Sequence, residues 1–118
     1  VEDIVEITIT TAEAVKRMSI EPKIALLSYS NFGSHKGNTP SKMNKATAII
    51  KERRPDLIVD GEMQANFAMD NDLLKEVFPF SELVDNKPNV LIFPGLASGN
   101  IAYKLLHLME LVKPSAQS

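Results

Sequence analysis

The chain opens with apolar residues at helical spacing, which predicts an amphipathic helix over residues 1–18. Residues 7–10 read Ile-Thr-Ile-Thr, and this alternation of β-branched side chains favours a strand locally. The helix accounts for the whole segment and the strand only for its middle. The apolar residues that recur every three or four positions are Val1, Ile4, Val5, Ala12 and Val15.

Three short runs, at residues 23–28, 57–59 and 89–93, are apolar without alternation, as is typical of strands covered on both faces. Between the first two, Thr39 and Pro40 predict the cap and first turn of a helix. That helix must end before Pro55, because a proline disfavours the helical conformation in the residue before it. Its predicted inward face carries Met43, Ala46, Ile49 and Ile50.

After the second strand, residues 60–62 predict a turn, and residues 63–77 predict two short helices broken near 70–72. After the third strand, residues 98–100 predict the start of a helix with an apolar stripe. Strands that alternate with helices indicate a three-layer α/β/α fold with a mainly parallel sheet and right-handed crossovers. The residues of the last stripe are Ile101, Leu105, Leu108, Met109 and Val112.

Length and composition limit the function. The 118 residues fit a single domain, and 44% hydrophobic with 24% charged residues predicts an ordinary packed core. A net charge of −2 offers no positive field for nucleic acid. The sequence has no long apolar run and no export signal, so we expect a cytoplasmic protein without membrane contact. Without cysteine, disulfides and thiolate chemistry are excluded.

Polar side chains follow each predicted strand, at residues 28–37, 60–64 and 94–100. Ligands of open α/β sheets bind outside the carboxyl ends of the strands, so we expect these loops to converge on one edge. Hydroxyls, glycine N–H groups and a helix N-terminus suit a phosphate or a carboxylate. The alternative is that the same residue types serve only as turn and cap residues.

Several rival sites have weaker support. Residues 33–37 do not continue into a Walker motif, because Asn38 stands where a glycine is needed, and no dinucleotide fingerprint occurs. Asp60 and Glu62 could act in acid–base or magnesium chemistry, but cap and turn roles are the stronger interpretation. Gln64 is expected to hold its loop by side-chain hydrogen bonds. The two histidines, at 35 and 107, lack metal-ligand spacing.

Three segments, at residues 25–34, at 55–65, and at 89–94 with 99–105, together resemble the phosphate acetyltransferase and butyryltransferase family. Within it, Ile-Glu-Pro-Lys at 20–23, Ser-Asn-Phe-Gly-Ser at 30–34 and Gly-Glu-Met-Gln-Ala at 61–65 resemble the domain fused behind large bacterial malic enzymes. The resemblance implies a fold related to isocitrate and isopropylmalate dehydrogenases, a homo-oligomer built on dimers, and affinity for acetyl-CoA or acyl phosphate. It makes residues 1–118 one subdomain of a longer chain.

The resemblance also implies which residues line the ligand cleft: Ser28, Ser30, Gly33, Ser34, Asn100 and Tyr103. From position alone, Tyr103 could equally pack against a strand. The Ser-Arg pair and the Asp that resemble the catalytic groups of active family members lie beyond this motif, and residues 110–118 do not match that region. We therefore expect no catalytic residue and no metal in this chain.

The interpretation is a malic enzyme domain that binds acetyl-CoA or acyl phosphate for allosteric regulation and oligomer assembly, without a cofactor of its own. NAD(P) and a divalent metal would belong to a presumed upstream domain. One alternative is an active phosphate acetyltransferase that moves acetyl between CoA and phosphate. Another is a dimerisation scaffold only.

Overall fold

The computed structural model describes residues 1–29, 31–33, 38–94 and 101–105. They form alternating strands and helices, ending in a strand pair. The elements are α1 (Glu2–Arg17), β1 (Lys23–Leu27), α2 (Asn38–Arg53), β2 (Ile58–Met63), α3 (Ala65–Met69), α4 (Asn71–Val77), β3 (Val90–Pro94) and β4 (Ile101–Leu105).

The four strands make one sheet in the order β2-β1-β3-β4. β1 is central and pairs in parallel with both β2 and β3, whereas β4 pairs antiparallel with β3. The chain moves from β1 outward to β2 through α2, then back past β1 to β3 through α3 and α4. Since β1 to β3 are parallel, their carboxyl ends share one edge of the sheet.

The sheet is packed on both faces, which makes three layers. One core joins α1 and α2 to the strand residues Ile24, Leu26, Val59, Val90 and Ile92. The other lies on the opposite face and joins α3 and α4 to alternate strand residues, Ala25, Leu27 and Leu91 among them. Burial on both faces explains why these strands read as continuous apolar runs. The predicted α/β architecture is confirmed.

The α1 segment is a helix although its middle alternates like a strand. Thr8 and Thr11 are buried, and their hydroxyls donate to the carbonyls four residues earlier, Ile4 and Ile7, at 2.7 Å each. These bonds satisfy the hydroxyls inside the helix, so the β-branched threonines can face the core without an unpaired polar atom. The predicted stripe, including Val15, is the buried face.

The helices predicted between the first and third strands are present. α2 begins at Asn38, one residue before the predicted cap, and ends at Arg53, ahead of Pro55. Its predicted inward residues are buried, with Ile49 partly so. The two short helices of residues 63–77 are present as α3 and α4, separated at Asp70, whose carboxylate accepts from the Leu73 N–H and caps α4.

The turn predicted at residues 60–62 is wrong, because β2 continues through them to Met63. Asp60 pairs with Ala25 and Gly61 with Leu26, and the register then shifts so that Leu27 is opposite Met63. Glu62 is therefore an extra residue on β2, as in a β-bulge. The Gly61–Glu62 peptide bond is cis. Polar residue types suggested a turn, but pairing with the central strand keeps the segment extended.

The helix predicted from residue 101 is also wrong over residues 101–105, which form β4. Its backbone pairs with β3 from Ile101 opposite Pro94 to Leu105 opposite Val90. Ile101, Tyr103 and Leu105 fit a period of two, while Ile101 and Leu105 alone also fit a helical one, so pairing with β3 decides the outcome. The rest of that predicted helix lies outside the described residues.

In the part of the chain that the structure describes, none of the helices has both the length and the apolar character needed to cross a bilayer.

Gly61 meets the central strand so closely that a side chain should not fit. A Cβ there would lie 2.6 Å from the Leu26 carbonyl oxygen, and its φ of +148° is one that other residues rarely adopt. We expect Gly61→Ala to destabilise the fold by about 3 kcal/mol or more. Urea unfolding of the full-length protein measures this.

The matched control is Gly33→Ala. Gly33 also has a positive φ, +83°, but its added Cβ would meet nothing within 4 Å. Only the backbone conformation then opposes the substitution, at about 1 kcal/mol. Equal losses at the two glycines would contradict the close approach of β2 to β1.

Candidate functional site

The carboxyl ends of β1 and β2 lie side by side and carry the described part of the predicted ligand edge. We call the described residues that follow β1, which are 28–29 and 31–33, the β1 loop. Its backbone is tied to β2, because the Ser28 N–H donates to the Met63 carbonyl at 2.9 Å and the Phe32 N–H donates to the Glu62 carbonyl at 2.7 Å. The β1 loop therefore folds back over the end of the neighbouring strand.

Glu62 is the bulged residue and the most deeply placed polar group of this edge. Its side chain is fully buried, and Oε1 accepts from the Gly33 N–H at 2.9 Å and from Asn44 Nδ2 of α2 at 3.1 Å. Its other oxygen, Oε2, is buried without a hydrogen-bond partner among the described residues. One carboxylate thus joins β2, the β1 loop and α2.

Gln64 and Asn31 form a reciprocal pair beside Glu62. Asn31 Nδ2 donates to Gln64 Oε1 at 2.9 Å, and the Gln64 N–H donates to Asn31 Oδ1 at 2.7 Å. Gln64 Nε2 also donates to the Tyr29 carbonyl at 2.9 Å. The side-chain hydrogen bonds predicted for Gln64 are present, but they hold the β1 loop and not its own loop, because residues 60–62 belong to β2. They fix the β1 loop at its start as well as its middle.

The structure brings together two of the predicted ligand residues, Ser28 and Gly33, in the β1 loop. The Ser28 hydroxyl is buried without a hydrogen-bond partner in the described part of the chain. Gly33 is exposed, but its N–H is taken by Glu62. Tyr103 lies in the middle of β4, opposite Ile92, with β3 between it and the β1 loop.

Three predicted ligand residues, Ser30, Ser34 and Asn100, lie outside the described residues, as do His35 and His107. The ligand roles of all six candidates stay predictions. Sequence reasoning missed Asn44, which lies on α2 yet donates to Glu62. A polar residue one position after the inward-facing Met43 was the available signal, but it does not single out Asn44 among the other polar residues of α2.

Asp60 is buried in the sheet and serves the scaffold. Oδ1 accepts from Lys51 at 3.1 Å and from the Gly61 N–H, and Oδ2 accepts from the Ser81 hydroxyl at 2.8 Å and the Glu82 N–H at 3.0 Å. Four donors saturate this carboxylate. The geometry therefore supports a structural role for Asp60, which the sequence already favoured over acid–base chemistry. It links β2 to α2 and to the segment before β3.

Lys51 bridges Asp60 and Glu82, with 3.1 Å between its Nζ and an oxygen of each. Desolvation lowers the pKa of this lysine, but the two carboxylates outweigh it and hold the pKa above the usual 10.5. The stabilisation is complete below the ordinary pKa and is lost as the pH rises through the raised value. The ion pairs of Lys51 therefore persist throughout the neutral pH range.

An aromatic group lies against the β1 loop. The ring of Phe32 is 4.9 Å from that of Phe78 and 5.0 Å from that of Phe80, and Phe67 is 5.0 Å from Phe78. Offset and edge contacts at these distances are favourable. They anchor the tip of the loop to α3 and the end of α4. Among the described residues, no group of three or more potential metal ligands occurs.

Fold and edge together define a class: a three-layer α/β domain in which polar residues of the β1 loop meet the end of the parallel strand β2. Residues 1–113 match the family described as phosphate acetyl/butaryl transferase. The chain belongs to this family. The resemblance seen in the three sequence segments is thus confirmed.

Individual relatives carry two kinds of name. The chain is 43% identical to a phosphate acetyltransferase from Clostridium acetobutylicum over 89% of its length, and 45% identical to an NADP-dependent malic enzyme from Haemophilus influenzae, also over 89%. It covers 32% of the first protein and 14% of the second. The chain therefore spans a third or less of the curated relatives it matches.

Solved structures agree with the sequence relatives. A phosphotransacetylase from Streptococcus pyogenes superposes with a TM-score of 0.72 at 39% identity, over 82% of this chain and 29% of that one. A phosphotransacetylase from Staphylococcus aureus gives the same score at 29% identity, over 82% and 30%. The implied relation to isocitrate and isopropylmalate dehydrogenases stays a prediction.

The saturated carboxylate of Asp60 gives a first test of the edge as a scaffold. Asp60→Asn removes the negative charge facing Lys51. It also replaces one carboxylate oxygen by an NH2 group, which cannot accept from the donors on that side. We expect a loss of about 3 kcal/mol in unfolding free energy. Asp85→Asn is the control, because Asp85 is exposed and its φ of 65° suits asparagine; its cost should stay within about 0.5 kcal/mol. Similar losses would contradict the structural role.

Asn31 gives a second test, aimed at the β1 loop. Asn31→Ala removes both hydrogen bonds to Gln64, so amide hydrogens of residues 32 and 33 should exchange about tenfold faster. Hydrogen exchange measured by mass spectrometry on the full-length protein reports this. Asn66→Ala, on the exposed side of α3, should leave these amides unchanged. Unchanged exchange in both variants would show that the pair does not hold the loop.

Proposed function

We propose that this chain is the phosphotransacetylase-like part of a malic enzyme. In this proposal it binds acetyl-CoA or acyl phosphate, regulates the enzyme and helps to assemble its oligomer in the cytoplasm. The parent enzyme would oxidatively decarboxylate malate to pyruvate, with NAD(P) and a divalent metal bound in an upstream region. Support comes from the malic enzyme relatives and from the malic-type segments at 20–23, 30–34 and 61–65.

One observation carries the ligand part of the proposal: the protein's own contacts hold the β1 loop in place. Glu62, Gln64 and Asn31 fix its backbone by hydrogen bonds, and Phe32 fixes its tip by ring contacts. A loop that is already ordered loses little conformational freedom when a small molecule binds against it. An ordered β1 loop therefore favours a ligand-binding role for this domain over a role as a scaffold only.

The Ser28 hydroxyl adds to this argument. A buried hydroxyl without a partner is unfavourable by roughly 1–3 kcal/mol, and a ligand atom that accepts its hydrogen would recover part of that. The atom is covered in the described structure, so binding must uncover it. Ser28 lies directly after the central strand, which is where open α/β sheets bind ligands.

A regulatory role fits the use of the acidic groups. Both carboxylates of β2 are engaged in the scaffold, Asp60 with Lys51 and Ser81, and Glu62 with Gly33 and Asn44. Transfer of an acetyl group needs a base for the incoming thiol and donors for the oxyanion. In this proposal any such groups come from other parts of the protein.

The runner-up is an active phosphate acetyltransferase. The 43% identity to the Clostridium acetobutylicum enzyme and the superposition on two phosphotransacetylases favour it. Formation of acetyl phosphate from acetyl-CoA and phosphate by the full-length protein would decide for this activity. A protein that binds acetyl-CoA without forming acetyl phosphate would decide for regulation.

Calorimetric titration of the full-length protein with acetyl-CoA, alongside the rate of malate oxidation, tests the regulatory proposal. We expect binding and a changed rate in the wild type. Asn31→Ala should weaken binding about tenfold because the loop is no longer held in advance, and Asn66→Ala should bind like the wild type. No binding together with an unchanged rate would refute the proposal.

A further inference from the structure

The β1 loop already binds a carboxylate of β2. Backbone N–H groups of glycine-containing loops often bind phosphate, and the sequence suggested Gly33 for this purpose. In the structure the Gly33 N–H donates to Glu62 Oε1 at 2.9 Å, and Asn44 Nδ2 donates to the same oxygen at 3.1 Å. The protein's own carboxylate thus takes the donors that a bound phosphate would need.

Among the described residues, the groups that donate to this carboxylate are neutral. Lys51, on the same helix as Asn44, pairs with Asp60 and Glu82 instead. Glu62 is fully buried, and Oε2 has no hydrogen-bond partner among the described residues. A carboxylate buried in this way is weakly screened, so in its ionised form it repels another anion placed near it.

We propose that Glu62 is a resident anion that fills the anion position of the β1 loop. This part of the edge then receives the uncharged acyl-thioester end of the ligand and disfavours a phosphate group. The inference rests on the proposed function and narrows it, because acetyl-CoA and acyl phosphate are no longer equivalent ligands at the β1 loop.

The isosteric substitution Glu62→Gln tests the charge directly. Its amide oxygen can still accept from Gly33 and Asn44, while the NH2 group replaces the unpartnered oxygen. In full-length protein we expect acetyl phosphate to bind about tenfold more tightly than to the wild type, because a like charge has been removed. Affinity for acetyl-pantetheine, a thioester without nucleotide phosphates, should change less than about threefold.

The matched control is Glu76→Gln, which removes the same charge from an exposed position on α4 and should alter neither affinity. A second measurement needs no variant: the wild type should bind acetyl-pantetheine at least about tenfold more tightly than acetyl phosphate. That comparison tests the inference even if Glu62→Gln does not fold. Both ligands are titrated calorimetrically.

The outcomes separate this inference from the proposed function. If the wild type binds acetyl-CoA but prefers acetyl phosphate to acetyl-pantetheine, or if Glu62→Gln leaves the acetyl phosphate affinity unchanged, the resident-anion inference is overturned and the proposed function stands. If the wild type binds none of the three ligands, both are overturned.

Discussion

The ligand edge of this domain depends on one hydrogen-bonded carboxylate. Glu62 lies at the bulge of β2 and accepts from the β1 loop through Gly33 and from α2 through Asn44. These three elements are separated along the chain, and this one side chain binds the other two to β2. A buried carboxylate with charge-assisted bonds fixes their mutual positions more strongly than neutral contacts of the same number would. The backbone bonds of Ser28 and Phe32 to β2 add to it.

The position of Glu62 depends in turn on Gly61. The backbone of β2 comes so close to Leu26 that only a residue without a side chain fits, and the register shift directly after it leaves Glu62 outside the strand pairing. Bulges of this kind re-aim a side chain beside functional sites. The neighbouring Asp60 remains in register and binds Lys51 and Ser81 instead. Two carboxylates two residues apart therefore have separate surroundings and separate roles.

Hydrophobic periodicity was enough to predict α1, α2, both short helices and the three parallel strands, because burial on one or two faces leaves a direct trace in the sequence. It failed where pairing, not burial, decides the structure. Residues 60–62 look like a turn by composition, and Ile101–Leu105 fits either period, yet both segments are strands because a neighbouring strand satisfies their backbone. That Gln64 holds a loop by side-chain hydrogen bonds was predictable, whereas the identity of that loop and the role of Glu62 required the register and the approach of α2.

The relatives show why this edge alone does not determine the reaction. Identity is 43% to an acetyltransferase and 45% to a malic enzyme, so the chain is about equally similar to both kinds of protein. A scaffold shared in this way supplies what both have in common, the fold and its sheet edge. What differs must then lie in groups added around it. If Glu62 excludes phosphate from the β1 loop, a transferase must supply a phosphate site from elsewhere, while a regulatory domain that only senses an acyl thioester needs no such addition. On the proposed function, chemistry outside this segment, and not its fold, would separate the two activities.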